Sequence, residues 1–541
     1  MSGTSTPGQE IAVPDLNTLL DDHVLLVYES VDRIFLNGYL AKLQEPDQLA
    51  WFLGQHRGEE LPRYELLGKI TAEFVAAVEK LAQDQGVPLI HFEKGQRKEA
   101  IAEPFFAKAA RSQREGVVMI GVAQERANVF RPPAKRQRGK GGGFQATRNS
   151  AFVKHLYLYI WDHDFGPTFI KFCTYAPWSV RVCLNGHMWL RQHLDRSGHY
   201  VEPLDNGIAD VDDEAALRRL CQRFGPAHVQ RYFDRWLYRL PNPFTVKDRR
   251  AGYTYQLSIL QLEVARTEVF DRPLHGRQFF EEVIRQHLDL GRPDQVQLIF
   301  DRRHPRRRGQ PAARTRVFTQ DVNPSLQVSH RNTRVKQYFK LDRALRTETT
   351  FNDTYDFRIG RSLKNLPRLI GLGRDFNRRL LEMERQSCRP APAASVLEAM
   401  VMPTGEPGRR APGLRFGDPR VVALFGALSQ FRSVFGGFYA RDLRPLVEHH
   451  LASPYTMRQM AYDLRRLIRK GLLERLPGCN RYQLTAPGRR LILFAARLYN
   501  HVFCRGLARL EPTYPNGELN QAWRTFEARL DALLSESRLA A

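Results

Sequence analysis

The chain has 541 residues, 43% of them hydrophobic and 26% charged, with 82 Lys and Arg against 58 Asp and Glu, so its formal net charge is +24. These are the fractions of a globular protein, and they exclude bulk disorder and collagen-like order. Six cysteines with no CxxC pair exclude a disulfide scaffold and a zinc ribbon.

The length provides for about three or four domains. No apolar run reaches the roughly 18–20 residues that span a bilayer. The start, Met1 to Glu10, is polar and lacks the charged-then-apolar layout of a secretory signal. The expectation is a soluble, cytoplasmic protein without a membrane partner. A cationic surplus must lie on the surface, where it attracts polyanions, of which nucleic acid is the commonest. The alternative is the general basicity of an Arg-rich proteome, and clustering argues against it. From Arg302 to Arg346, thirteen cations face only Asp321 and Asp342. Within this block Arg306, Arg307, Arg308, Arg334, Lys336 and Lys340 are candidate backbone contacts, since Arg grips phosphate with a bidentate fork and neutralised phosphates release counterions.

In chain order, Val24–Tyr28 reads as a buried strand, Tyr64–Gln83 as a helix stopped by Gly86, Val87–Phe92 as a strand, Ala100–Arg111 as a helix and Gly116–Val122 as a strand. That alternation predicts an N-terminal α/β domain over residues 1–128. Residues 129–150 contain RPPAKRQRGKGGG, a Gly/Pro linker that is either a basic arm or a solvated hinge. Long alternating strands follow at Lys154–Asp162, Thr168–Tyr175, Ser179–Leu184, Tyr253–Phe270 and Val296–Phe300, with helices at Glu214–Phe224, Ala227–Tyr238 and Gly276–Leu288. They predict a basic α+β domain with an antiparallel sheet over 151–389. A Pro-rich linker spans 390–416, and a helical tail spans 508–541.

The segment 417–507 is the most informative. Asp418-Pro419 opens a helix, Gly436-Gly437 breaks the chain, and Phe438–His450 is a second helix. Thr456 caps a third, Met457–Lys470, with Met460, Leu464, Leu467 and Ile468 inside. Leu472–Leu476 and Arg481–Thr485 flank a tight turn at Pro477–Asn480. Three helices and a hairpin, with LRRLIRKGLLERLPGCNRYQLTAPGRRL, resemble the winged helix-turn-helix family. The resemblance implies a third helix in the major groove and a wing on the backbone. Arg458, Gln459, Tyr462, Arg465, Arg466 and Arg469 would then face DNA, with Arg475 and Arg481 by the wing. The same fold also serves protein contacts.

Catalysis on phosphodiesters calls for clustered carboxylates that hold Mg²⁺. Asp162 and Asp164 alternate at a strand end and are the candidate metal ligands, although Asp-His-Asp-Phe-Gly-Pro is also a turn sequence. Glu263 lies on a long strand. Glu348 lies in Leu345-Arg346-Thr347-Glu348, after Val335–Lys340. This pair of segments resembles the YxK…LRxE strands of phage and plasmid replication initiators, in which Tyr338 would be the nucleophile, although an aromatic on a strand is more often a core residue. That family's His-x-His metal pair is missing. The whole chain also resembles large bacterial proteins with a basic middle and a winged-helix end, from which no activity follows. Two readings stay open. One is a DNA-processing protein that cleaves or transfers strands with Mg²⁺ through Asp162, Asp164, Glu263 and Glu348. The other is a non-catalytic regulator or scaffold on DNA or structured RNA. DNA is favoured over RNA.

Overall fold

In the computed structural model the first expected strand runs far past Tyr28, as β1 (Val24–Tyr39). Residues 16–499 are described except 61–62, 133–144, 291–294, 299–312, 321–322, 342, 388–393, 406–409 and 430–434, with isolated positions beyond 499. The linker 133–144, Arg306, Arg307 and Arg308 therefore lie outside the described residues, as does most of the expected tail helix.

Contacts divide the chain into two compact units, Leu19–Gln278 with Gln320–Arg378, and Met1–Thr18 with Phe279–Thr319 and Arg379–Ala541. The first is α+β. After β1 come α1 (Glu65–Gln85), which ends on Gly86 at φ +62°, then β2 (Leu89–His91) and α2 (Lys98–Ser112). β3 (Gly116–Arg131), β4 (Thr147–Asp162), β5 (Gly166–Cys173) and β6 (Val180–Asn185) follow. α3 (Gly186–Arg196), the hairpin β7 (Val201–Leu204) and β8 (Gly207–Val211), α4 (Glu214–Arg223) and α5 (Pro226–Arg239) lead to β9 (Gln256–Phe270). Next are α6 (Pro273–Leu290) and the strands β10 (Gln295–Leu298) and β11 (Ala313–Gln320), which pair in parallel. β12 (Asn323–His330), β13 (Thr333–Lys340), β14 (Ala344–Phe351) and α7 (Leu366–Ser387) complete this half of the chain.

One sheet runs through the first unit in the order β12-β13-β14-β9-β1-β6-β5-β4-β3-β2. It is mixed, because β2 pairs in parallel with β3 while the other neighbours of β3, β1 and β9 are antiparallel. The boundary expected at residues 129–150 falls inside this sheet. β3 and β4 pair from Gly116↔Trp161 to Arg131↔Thr147, so the chain on both sides of the linker belongs to one sheet and residues 1–128 form no separate one. Hydrophobic alternation continued past Val122 as half-polar pairs, a pattern equally suited to a strand with one wet face.

On one side α1 packs Phe74 against Phe172, and α7 lies on β9 and β14. Gly373 permits that approach, since a Cβ there would stand 2.8 Å from the Val264 side chain. Asn377 bonds both strands, accepting from Thr349 Oγ1 at 2.7 Å and donating to the Val264 carbonyl at 2.9 Å. On the other side α2 covers Tyr157 and Tyr159. Beyond it Arg33, Phe35, Asn37 and Tyr39 alternate with buried Ile34, Leu36 and Gly38, leaving that part of the sheet accessible.

Further along the chain lie α8 (Pro419–Leu428), β15 (Phe438–Tyr439), α9 (Ala440–Leu451), α10 (Met457–Arg469), β16 (Leu473–Arg475), β17 (Arg481–Leu484) and α11 (Ala486–Leu498). The second expected helix thus begins two residues late. Gly436 and Gly437, at φ +75° and +93°, turn Phe438-Tyr439 into a strand that pairs with β17. The small sheet has the order β15-β17-β16 and closes a core of Val421, Leu424, Leu443, Met460, Leu464 and Leu467.

Candidate functional site

Alternation on neighbouring strands gathers one polar cluster. β13 and β14 set Lys336 opposite Glu348 and Tyr338 opposite Arg346, and β14 sets Thr350 opposite Glu263 on β9. Arg334, Lys336, Tyr338, Arg346, Glu348 and Glu263 therefore share a face. β1 adds to it through a bulge. Val31 pairs with Val264 and Arg33 with Glu263, so the extra residue Asp32 and its neighbour Arg33 both reach this side.

The Tyr338 hydroxyl donates to Glu348 Oε1 at 2.7 Å, and Lys336 Nζ lies 4.1 Å from the Tyr338 ring centre. Arg346, fully buried, donates to Asp32, to Glu348 Oε1 at 3.2 Å and to the Asn206 carbonyl at 2.8 Å. A guanidinium is tolerated in such a place only with partners of this kind. Burial pushes Asp32 up to about 6 although Arg346 pulls against it. Burial also works to raise Glu348, but Arg346 and the Tyr338 hydroxyl hold it below its ordinary value. Burial and the Glu348 charge push the Tyr338 phenol up, and burial pushes Lys336 down against the pull of Glu348. Asp32 and Arg346 are additions to the expected residues. The available signal was a charged side chain in the middle of an apolar strand.

Asp162 and Asp164 do not make the expected metal pair. Asp162 is wholly buried at the end of β4. Its Oδ1 accepts the amides of Asp164 at 2.8 Å and Phe165 at 2.9 Å, and its Oδ2 accepts from Trp236 Nε1 at 2.6 Å and from Arg235. That is an Asp closing a turn. Asp164 is bound by Arg196 at 2.8 Å and Arg235 at 3.4 Å. Both carboxylates are spent on cations and amides, and they lie at the β4–β5 turn, apart from the register that holds Glu263 and Glu348. Nor do Asp32, Glu263 and Glu348 fit a ready Mg²⁺ site, because Arg346 occupies the place between Asp32 and Glu348. Among the described residues, three His, Cys, Asp or Glu ligand atoms come within 4.8 Å of one another only at His23, Asp271 and His275. There the two imidazoles bracket a single carboxylate at 3.0 and 2.7 Å.

In the second unit, α10 carries Arg458, Tyr462, Arg465 and Arg469 on its exposed side, and the core residues on the other. Spacings of three and four residues stack these four into one stripe, about 16 Å long at 1.5 Å per residue. Several of the other residues expected to face DNA have other tasks. Gln459 is the N3 member of the Thr456 capping box, its Oε1 accepting the Thr456 amide at 2.7 Å. Arg466 turns away, donating to the carbonyls of Pro412 at 3.0 Å and of Gly413. Arg481 donates to the carbonyls of Phe435 at 2.7 Å and Gly437 at 3.2 Å. Arg475 is exposed and ties the hairpin turn, through Asn480 and the Cys479 carbonyl at 3.2 Å. In the sheet unit Lys340 pairs with Asp205 at 2.8 Å, while Arg334 is exposed.

No protein-family model matches the chain, and no curated protein matches it. Among solved structures, a rolling circle replication initiator protein from Geobacillus stearothermophilus is similar over 72% of this chain and 93% of that one, with 9% sequence identity and a TM-score of 0.19. A likeness of that size carries no argument. No helix among the described residues is long and apolar enough to cross a membrane.

Proposed function

We propose that this protein binds DNA through residues 417–507 and cleaves and rejoins a strand at Tyr338. The observation that carries the proposal is the 2.7 Å hydrogen bond from the Tyr338 hydroxyl to Glu348, with Lys336 against the same ring. A nucleophile, a base within hydrogen-bond reach and a flanking cation are what transesterification of a phosphodiester needs. At rest the proton stays on the phenol. As the Tyr338 oxygen bonds to phosphorus its proton passes to Glu348. The bond from phosphorus to the departing sugar oxygen breaks, and that oxygen leaves as a hydroxyl with a proton from Lys336, whose lowered pKa suits a donor. Arg334 is placed to neutralise the phosphate. Attack of a hydroxyl on the phosphotyrosine reverses the sequence. Mg²⁺ is assigned no step, because the carboxylates among the described residues of this cluster do not converge on one.

Helix, short strand, two helices and a hairpin, with three strands in one small sheet, support reading residues 417–507 as a winged helix-turn-helix. Arg458, Tyr462, Arg465 and Arg469 form its DNA-facing stripe and Arg475 its wing contact. The second reading, binding without chemistry, is favoured by one observation. Glu348 is shared with the buried Arg346, as a residue that merely balances charge would be.

The test is to incubate the full chain with single-stranded and supercoiled DNA, with and without divalent metals. A covalent adduct that survives denaturation, absent in Tyr338→Phe, and a loss of roughly 10²–10⁴-fold in rate in Glu348→Gln are expected. An adduct that persists in Tyr338→Phe, or none on any substrate, removes the chemistry and leaves the binding reading.

A further inference from the structure

The sheet carries a second charged site, away from Tyr338. Between β1, β6, β5, β4 and β3 lies a hollow of about 180 Å³, lined among others by Arg126, Arg148, Lys171, Arg181, His155 and Asn37. No carboxylate lines it, among the described residues. Register accounts for the convergence of Lys171, Arg181 and Asn37. Lys171 on β5 faces Arg181 on β6, which faces Asn37 on β1, so their side chains stand in a row across three strands. The row continues on β4 at Tyr157, opposite Lys171, and His155, opposite Cys173, stands beside it on the same face.

Like charges gathered this way repel, and a sheet gains nothing from them unless an anion sits between. Arg126, Arg148 and Arg181 are exposed and have no carboxylate partner among the described residues. Lys171 is buried and shares Glu125 with Lys98, so those three groups still leave one positive charge over. His155 is buried too, and its Nδ1 bonds the Val153 carbonyl at 3.0 Å. Burial pushes its pKa down to about 4, and the neighbouring Lys171 and Arg181 push it the same way, so the ring adds no charge near neutrality. The volume equals that of about six waters, enough for one or two phosphate groups but not for a base pair.

We infer that this hollow is an anion site that takes a compact phosphate, either the terminal phosphate of a nucleic-acid strand or a free di- or triphosphate. The arginines would grip the phosphate oxygens in forks, with the amide of Asn37 as a neutral donor. The site stands whether or not Tyr338 performs chemistry.

The probe is inorganic pyrophosphate, titrated into the full chain at low salt by calorimetry. Binding is expected in wild type, weakened by roughly 10–100-fold in Arg181→Ala and again in Arg148→Ala. Arg181→Lys, which keeps the charge but loses the fork, should fall between. Circular dichroism of each variant separates loss of the site from loss of fold, and Tyr338→Phe should bind pyrophosphate as wild type does. A paired titration compares one oligonucleotide bearing a 5′-phosphate or a 5′-hydroxyl. A preference for the phosphate that vanishes in Arg181→Ala assigns the site to strand ends. Equal affinities alongside pyrophosphate binding assign it to a free phosphate compound. No pyrophosphate binding at millimolar concentration, or binding that the folded Arg181→Ala and Arg148→Ala variants retain in full, overturns the inference.

Discussion

Replacing Asp162 separates a structural carboxylate from a catalytic one. Its two oxygens accept from two turn amides, an indole N–H and a guanidinium, and the residue has no exposed surface. In Asp162→Ala, Arg235 keeps Asp164 at 3.4 Å and Glu115 at 3.8 Å, so it is not stranded. The cost falls on Trp236 Nε1, in a residue only 3% exposed, and on the amides of Asp164 and Phe165. Stranding groups bonded to a buried charge costs about 3–4 kcal/mol after partial relaxation. Asp162→Asn keeps one acceptor oxygen and should cost about half. For a unit of this size the alanine variant should melt roughly 5–10 °C lower, by near-ultraviolet circular dichroism of the full chain. Exchange of the Phe165 amide should quicken in parallel. If Asp162→Ala melts with wild type and the Phe165 amide exchanges unchanged, the reasoning is refuted. A stable Asp162→Asn that binds DNA but has lost cleavage would restore the metal-ligand role.

Arg465 and Arg466 are neighbours with opposite expectations. Arg465→Ala should weaken duplex binding and lower the salt slope by about one phosphate, while Arg466→Ala should leave the slope unchanged and lower the melting point, since it holds the Pro412 and Gly413 carbonyls. Thr456→Ala should cost about 1 kcal/mol through the lost cap of α10, read by denaturant unfolding. Glu125 is held down to about 2, the hydrogen bonds of Lys171, Lys98 and Tyr157 outweighing the burial that would raise it. Its contribution is therefore complete above its unfolded pKa and is lost as pH falls toward 2. Glu125→Gln should lower stability at neutral pH by up to roughly 3 kcal/mol and flatten the acid limb of a stability-against-pH curve. A variant whose acid limb matches wild type would sink that assignment.

Local signals determined a good deal of this protein. Apolar periodicity located α1, α2 and the β4–β5–β6 meander, and caps located the ends of α8 and α10, because each depends on residues a few positions apart. The basic stripe Arg458, Tyr462, Arg465 and Arg469 could be read directly, as helix geometry alone aligns it. Spatial pairing decided the rest. Whether residues 1–128 were a domain depended on β3 finding β4 across the linker. The fate of Asp162 depended on Trp236 and Arg235, more than seventy positions away. Gln459, Arg466 and Arg481 share the composition of DNA-facing residues, and only the carbonyls and cap within reach show where their donors and acceptors go. Asp32 meets Arg346 because one bulge turns a strand, and a bulge leaves no mark in composition. Charge is written in sequence, but its neutralisation is set by which strands lie side by side.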